Sequence, residues 1–298
     1  MQEQIKTENL CKRYGSLVAL DQASIAAYPA ECLGIFGFSG SGKSTLLRVL
    51  AGIETPDSGA VADVTAGISF QSPSFDERQT PFEALWLYAT LYEIPRGKRH
   101  AAIRELLSLI GLDSRRDRPV RELSAGAKKS LEVAKALLSP SDILLLDEPM
   151  TGLDSEMRRR LWERLLLRRT HEKTAVVLAT SRSEDAELCD RIALFHEGRI
   201  LVTGTISQLR GMVGPEALVV KPMSARGGRI REWNGVVGRE QDGSLVVELG
   251  PESRPVELLR QIPGDIAAVR YAERSLDSIL AELIVHPELL PQKSEEHE

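Results

Sequence analysis

Cysteine and histidine are scarce in this chain, and neither is arranged for chemistry. The three cysteines, Cys11, Cys32 and Cys189, stand far apart. They form neither a CxxC pair nor a disulfide framework, which fits a reducing compartment. The five histidines, His100, His171, His196, His286 and His297, lack a metal-ligand spacing such as HxxxH, so no zinc or di-iron site is expected. Long apolar runs are missing too. None approaches the roughly 18 residues of a membrane span; the longest candidate, 32–42, is glycine-rich and runs into Lys43. Met1-Gln2-Glu3-Gln4 offers neither the basic nor the apolar region of a signal peptide, and none is expected. A membrane role would therefore come through a partner. Charge of one sign is also lacking: 38 Lys and Arg against 43 Asp and Glu leave −5. That balance is poor for a dedicated nucleic-acid binder, so no nucleic-acid partner is expected, although a local basic face stays open.

What is present is the composition of a globular protein. The hydrophobic fraction of 42% and the charged fraction of 27% exclude a wholly disordered or collagen-like chain. At about 150 residues per domain, the length of 298 residues predicts two domains, or one large domain plus a small one. Up to about residue 210, strands alternate with helices. The runs 32–36, 143–146 and 174–179 are short and continuously apolar, as strands buried on both faces of a parallel sheet are. Between the last two lies 155–169, long enough for a crossover helix, which makes a βαβ unit and predicts an α/β core. The stretch 73–138 reads as a helical insert. Ile103, Leu106, Leu107 and Ile110 repeat at helical spacing over 96–110, and Leu131, Ala134 and Leu138 share a face over 124–138. Beyond 213 the pattern changes to short strands at 217–220, 234–237, 244–249 and 267–271, with helices at 256–261 and 276–285. The expected organisation is one domain over 1–212, a small α+β domain over 213–286 and a disordered acidic tail over 287–298.

Gly37-Phe38-Ser39-Gly40-Ser41-Gly42-Lys43-Ser44 fits GxxxxGK[ST], the phosphate-binding P-loop pattern. An apolar strand precedes it and the helix-like run 45–50 follows. Glycines let the backbone curl with its N–H groups inward, and the helix N-terminus adds partial positive charge. Lys43 would neutralise the β- and γ-phosphates of a nucleotide, and Ser44 would ligate Mg²⁺. Asp147 ends an apolar run, at the carboxyl end of a buried strand, where open α/β sheets bind ligands. A carboxylate there can hold Mg²⁺. Glu148 follows as the natural general base for an attacking water.

With these residues the chain resembles the nucleotide-binding subunit of an ATP-binding cassette (ABC) transporter, over residues 4 to about 210. Several further motifs stand in that family's order. Tyr14 matches the aromatic residue that stacks on adenine. Gly37, Phe38, Ser39, Gly40, Ser41, Gly42, Lys43, Ser44 and Thr45 match the Walker A loop. Gln71 matches the glutamine that touches Mg²⁺ and the attacking water and links to the membrane partner. Leu123-Ser124-Ala125-Gly126-Ala127 stands at the signature motif, 143–147 with Glu148 at Walker B, and Gly152-Leu153-Asp154 at the D-loop. Gln71-Ser72-Pro73-Ser74-Phe75-Asp76 and the C-terminal Arg274-Ser275-Leu276-Asp277-Ser278-Ile279-Leu280 are similar to the daunorubicin-resistance-like drug-exporter branch of type-2 exporters. The resemblance implies that two such subunits clamp two ATP molecules head to tail. Each ATP lies between Walker A of one subunit and the signature of the other, and closure moves membrane subunits.

Two departures from the family pattern stand out. In the signature, Ala125 replaces a glycine and Ala127 a glutamine. Ser124 and Gly126 remain, and they reach the γ-phosphate in the family. Ser124 is also a suitable N-cap, but Ala127 cannot complete a capping box, a loss of roughly 0.5–1 kcal/mol of helix-end order. The second departure is Thr180-Ser181, where the family has a threonine followed by a switch histidine. Serine donates one hydrogen bond and carries no charge. Losing a preorganised transition-state donor costs about 10²–10³ in rate, so the expectation is slow hydrolysis with ATP binding largely intact.

Two surfaces stay open to more than one reading. Arg158, Arg159, Arg160, Arg164, Arg168 and Arg169 make a basic helix, either a solvated face paired in part with Glu156 and Glu163 or a contact for anionic lipid headgroups. Phe82, Leu85, Trp86, Tyr88, Leu91 and Tyr92 repeat at helical spacing, either as core or as a groove for a membrane-subunit coupling helix. The function expected is that of an ATP-binding, ATP-hydrolysing subunit, with ATP and Mg²⁺ as cofactors. It would lie on the cytoplasmic face of the cell membrane beside a transmembrane permease and a second ABC subunit. The alternative is a non-catalytic, ATP-binding regulatory subunit paired with an orthodox ABC subunit. A soluble ABC protein of translation or DNA repair fits less well, because the chain carries one cassette and no long heptad arm.

Overall fold

Continuous apolar runs with no polar face can only sit inside a sheet covered on both sides, and they set the core. The computed structural model describes residues 3–62, 64–214, 217–223, 236–239, 244–249, 255–261 and 266–291. The chain divides into two units, Met1–Thr203 and Gly204–Glu298. In the first unit, β1 (Ile5–Tyr14), β2 (Leu17–Ala23) and β3 (Ala26–Ala27) are followed by β4 (Cys32–Phe36), α1 (Lys43–Leu50), β5 (Ser58–Val61) and β6 (Gly67–Ser69). Then come α2 (Pro81–Leu91), α3 (Arg96–Leu109), α4 (Ala125–Leu138), β7 (Ile143–Asp147), α5 (Ser155–Glu172), β8 (Ala175–Thr180), α6 (Ser183–Ala186), β9 (Arg191–His196) and β10 (Arg199–Gly204).

The central sheet has the order β10-β9-β4-β8-β7-β6, with β9, β4, β8, β7 and β6 parallel. Its three middle strands β4, β8 and β7 are the three apolar runs, and every residue of each is buried. The helix between β7 and β8 is the crossover predicted at 155–169, extended to Glu172. A second, antiparallel sheet has β1 between β2 and β3, and β5 also pairs with β1. It was not apparent in the sequence. Bulges between Leu10 and Lys12 and between Lys12 and Arg13 break the period-2 signal that would reveal its long strand.

Two cores flank the central sheet. One gathers Leu10, Leu20, Leu33, Ile35, Leu46 and Leu145 under β1, β2 and α1. The other joins Leu144, Leu146, Val176 and Leu178 of the sheet to Ile103, Leu107, Leu131 and Leu165 of the helices. The helical insert is therefore continuous with one face of the sheet, and α4 belongs to both. Residues 129–138 of α4 are all buried, not only its predicted apolar stripe.

The second unit contains α7 (Ile206–Val213), β11 (Ala217–Pro222), β12 (Val236–Arg239), β13 (Leu245–Glu248), α8 (Pro255–Gln261), β14 (Ile266–Ala272) and α9 (Leu276–Val285). Its antiparallel sheet has the order β12-β13-β11-β14, and Leu218, Val220, Leu245 and Val247 form its core. Of the strand expected at 234–237, residues 234 and 235 lie outside the described residues. The segment 274–280 owes its pattern to a helix start: Ser275 caps α9, accepting the Ser278 N–H at 3.2 Å, and Arg274 bonds Glu282 at 3.2 Å. The tail does not begin at Pro287 as expected, because Pro287–Leu289 forms a 3-10 turn. Residues 292–298 lie outside the described ones.

Candidate functional site

The glycine loop leaves β4 at Phe36 and turns into α1, as the strand–loop–helix pattern requires. Two of its glycines are sterically fixed. A Cβ on Gly37 would lie 2.1 Å from the Phe195 carbonyl oxygen; one on Gly42, which has φ +106°, would lie 2.2 Å from the Ala19 oxygen. Lys43 is drawn under the loop, its Nζ donating to the carbonyls of Gly37 at 2.7 Å and Phe38 at 2.9 Å and to Ser41 Oγ at 3.4 Å. Burial lowers the Lys43 pKa, opposed by the carboxylates of Glu148 and Asp147. A cavity of about 270 Å³ opens over the loop and brings together Tyr14, Ser39, Gly40, Gly42, Lys43, Ser44, Thr45, Gln71 and Glu148. These come from β1, the loop, α1, the turn after β6 and the end of β7. Leu17, Val18 and Ala19 of β2 complete the wall beside Tyr14, and sequence reasoning missed them. Tyr14, whose hydroxyl bonds the Glu54 carboxylate, is 42% exposed and lines the cavity.

Asp147 is buried at the end of β7. Burial pushes its carboxyl up, opposed first by a hydrogen bond with Ser44 and then by the Lys129 ammonium. Its Oδ1 is buried with no hydrogen-bond partner. An orphaned carboxylate oxygen beside a serine hydroxyl, at the mouth of a phosphate loop, fits a hard divalent cation.

Glu148 sits in the left-handed region at φ 47°, a setting that costs a non-glycine residue about 1–3 kcal/mol. Its carboxylate is held on both oxygens. Oε1 accepts the Ser181 backbone N–H at 2.8 Å, and Oε2 accepts the hydroxyls of Thr151 at 3.0 Å and Thr180 at 3.4 Å. Thr151 was not singled out from the sequence, since a hydroxyl carries no local signal, and Thr180 was named only as the threonine preceding Ser181. Ser181 thus reaches Glu148 through its backbone N–H, which any residue but proline would supply.

The signature and D-loop residues lie outside this cavity. Ser124 caps α4, its Oγ accepting the Ala127 N–H at 3.2 Å. Ala125 and Gly126 follow on the first turn, and a Cβ on Gly126 would lie 2.9 Å from the Gly152 oxygen. Asp154 caps α5, accepting the Met157 N–H at 2.8 Å. The structure therefore gives Ser124 and Asp154 a helix-capping task within the chain.

On α5, Arg159, Arg160, Arg164 and Arg169 each pair with a carboxylate. Arg168 departs from the solvated-face reading: it is buried, donating to the carbonyls of Leu137, Ser139 and Ser141. The aromatic stripe of α2 is split. Leu85 is buried and Phe82 stacks on Trp86 with centroids 6.0 Å apart, whereas Leu91 is 63% exposed. Among the described residues no helix is long and apolar enough to cross a membrane.

The family model described as ABC transporter matches residues 20–151. Nod factor export ATP-binding protein I of Paraburkholderia xenovorans (strain LB400) is 35% identical over 219 residues, which cover 69% of this chain and 72% of that protein. The protein of the same name from Sinorhizobium fredii (strain NBRC 101917 / NGR234) is 33% identical over 253 residues, covering 78% and 71%. Among solved structures, cbiO1 from Clostridium perfringens, part of the ABC transporter complex cbiONQ, superposes with a TM-score of 0.60 at 25% identity, covering 71% of this chain and 92% of that one. A phosphate loop, a strand-end carboxylate pair and a helical insert in this order, together with relatives of this likeness over more than two thirds of their length, place the chain in the ABC transporter family, as an ATP-binding subunit.

Proposed function

We propose that the subunit binds MgATP in the cavity over the glycine loop and hydrolyses it, slowly, to drive a transmembrane partner in an exporter of the type-2 kind. In this reading Tyr14 packs on adenine, and the loop from Gly37 to Ser41 and Thr45 wraps the phosphates with backbone N–H groups. Lys43 turns its ammonium from the loop carbonyls to the β- and γ-phosphates. Ser44, Asp147 and Gln71 would hold Mg²⁺, which when bound neutralises charge on the phosphate oxygens. Gln71 orients the attacking water and Glu148 takes its proton. Ser124 and Gly126, with Ala125 and Ala127 around them, would face the γ-phosphate bound by a second subunit, with Asp154 beside that interface. Export is the activity in the names of the relatives and supports the direction proposed here. The subunit would then lie against the cytoplasmic face of the membrane.

The observation that carries the reading is the placement of Glu148. Its carboxylate faces the same cavity as Lys43 and Ser44, and three donors fix its two oxygens. A base held in this way needs little reorganisation to accept a proton. The absence of an imidazole at Ser181 removes a γ-phosphate donor and accounts for the slow rate proposed. The test is steady-state ATP hydrolysis by the purified chain beside Glu148→Gln. Turnover that disappears in Glu148→Gln supports the reading. ATP binding with no turnover above that variant would favour the non-catalytic subunit paired with an orthodox one.

A further inference from the structure

The helix that begins with the signature carries three charged side chains on its buried side, one turn apart: Lys129, Glu132 and Lys135. All three are nearly inaccessible, with relative exposures of 5%, 0% and 2%. Charges so deep are costly unless fully bonded, and apolar residues of similar volume would fill the space more cheaply. Their bonds converge on one short segment. Lys129 Nζ donates to the carbonyls of Phe70 at 2.8 Å, Gln71 at 3.1 Å and Asp147 at 2.9 Å. That uses all three protons of the ammonium. Glu132 accepts the Phe70 N–H at 3.0 Å on one oxygen and the Ser74 N–H at 3.3 Å on the other. Lys135 bonds the Glu132 carboxylate and lies 4.7 Å from the centre of the Phe70 ring.

We propose that Lys129 and Glu132 are positioning residues that fix the Gln71 turn, so that the helix bearing the signature also sets where the Gln71 side chain stands in the nucleotide cavity. The inference rests on the proposed part of Gln71 in hydrolysis and adds to it. Gln71 itself is exposed, and its backbone carbonyl accepts from Lys129 at 3.1 Å. Ser124 caps the helix five residues before Lys129, so the signature and the clamp stand on the same helix. Lys129 also ties the same turn to the Asp147 carbonyl, one residue before Glu148. A misplacement near 1 Å in such a site costs up to about 10²-fold in rate.

The test uses the full chain with Lys129→Met, which keeps volume but no donors, and Glu132→Gln as a second variant. Hydrogen exchange without nucleotide is followed over 68–76 and, for comparison, over 43–50. Lys129→Met is expected to speed exchange over 68–76 by about tenfold, equivalent to about 1.4 kcal/mol of local opening, with 43–50 unchanged. Glu132→Gln is expected to act on Phe70 and Ser74 alone. Unchanged exchange over 68–76, or an equal rise in both segments, overturns the proposal. In turnover, Lys129→Met is expected to lower kcat about tenfold with KM for MgATP within about twofold, and the double variant with Gln71→Ala to be no slower than Gln71→Ala alone. Additive losses would mean that Lys129 does not act through Gln71 and would also overturn it. If Gln71→Ala turned over ATP like the parent chain, the part proposed for Gln71 would fail, while the exchange result would still decide whether Lys129 holds the turn.

Discussion

Glu148 Oε1 accepts the backbone N–H of Ser181 at 2.8 Å. The residue at the switch position thus holds the base through its main chain, and its side chain is free to vary without disturbing the carboxylate. Ser181→Ala keeps that N–H and is expected to leave kcat within about twofold. Ser181→His adds a donor toward the γ-phosphate and is expected to raise kcat by about 10–100-fold. Single-turnover and steady-state hydrolysis of both variants check this. A collapse of turnover in Ser181→Ala would show that the serine hydroxyl itself serves the reaction.

The glycine loop separates strain from collision. Gly40 has φ +83° with open space around its Cβ position, whereas a Cβ on Gly42 at φ +106° meets the Ala19 oxygen at 2.2 Å. Gly40→Ala is expected to cost about 1–2 kcal/mol of local conformational energy, with nucleotide affinity reduced only a few-fold. Gly42→Ala must push β2 away from the loop. It is expected to weaken nucleotide binding by about tenfold or more, about 1.4 kcal/mol. Titration with a fluorescent ATP analogue distinguishes the two, and equal affinities would contradict the steric argument.

The loop was legible because its chemistry is local: glycine, lysine and serine at fixed spacing beside an apolar run. Likewise β4, β7 and β8 announce themselves, since no polar residue interrupts them. The clamp on Gln71 was not legible. Lys129 meets partners 58 and 59 residues back along the chain, and helical periodicity places a lysine beside Leu131 and Ala134 on the solvent face. Ser124 and Asp154 show the converse. The family pattern gives them a task across a partner, while the capping preference of serine and aspartate gives them one at home, and within this chain the structure displays the capping.

Arg168 offers a test of stability that leaves the site untouched. Its guanidinium bonds the carbonyls of Ser139 at 3.1 Å and Ser141 at 2.7 Å, closing the turn between α4 and β7. Arg168→Met leaves these buried acceptors without donors and is expected to cost about 2–4 kcal/mol. Arg168→Lys is expected to recover less than half, because an ammonium cannot reproduce the planar fork. Urea unfolding measures both. Turnover per folded molecule is expected to be unchanged, and a fall in kcat would place Arg168 in the catalytic chain of contacts.

Alkaline stability is governed in part by Tyr92, which packs beside Tyr88 at the foot of the insert. Burial pushes its phenol from 10.0 up to about 12, reinforced by Tyr88 and Glu132 and opposed by the Ile68 backbone. Below pH 10 the folded and unfolded chains both hold the proton. Between 10 and 12 the unfolded chain releases it while the folded chain keeps it, so stability falls as pH rises through this window. The loss is expected to be on the order of 1–2 kcal/mol. Lys129 and Lys135, whose pKa values burial lowers, change stability in the opposite sense, because the unfolded chain then holds the extra protons. Comparison with Tyr92→Phe isolates the phenol, since the lysines are common to both proteins. Unfolding midpoints between pH 9 and 12 are expected to fall more steeply for the parent chain than for Tyr92→Phe. Parallel curves would show that the Tyr92 phenol ionises in the folded chain as readily as in the unfolded one.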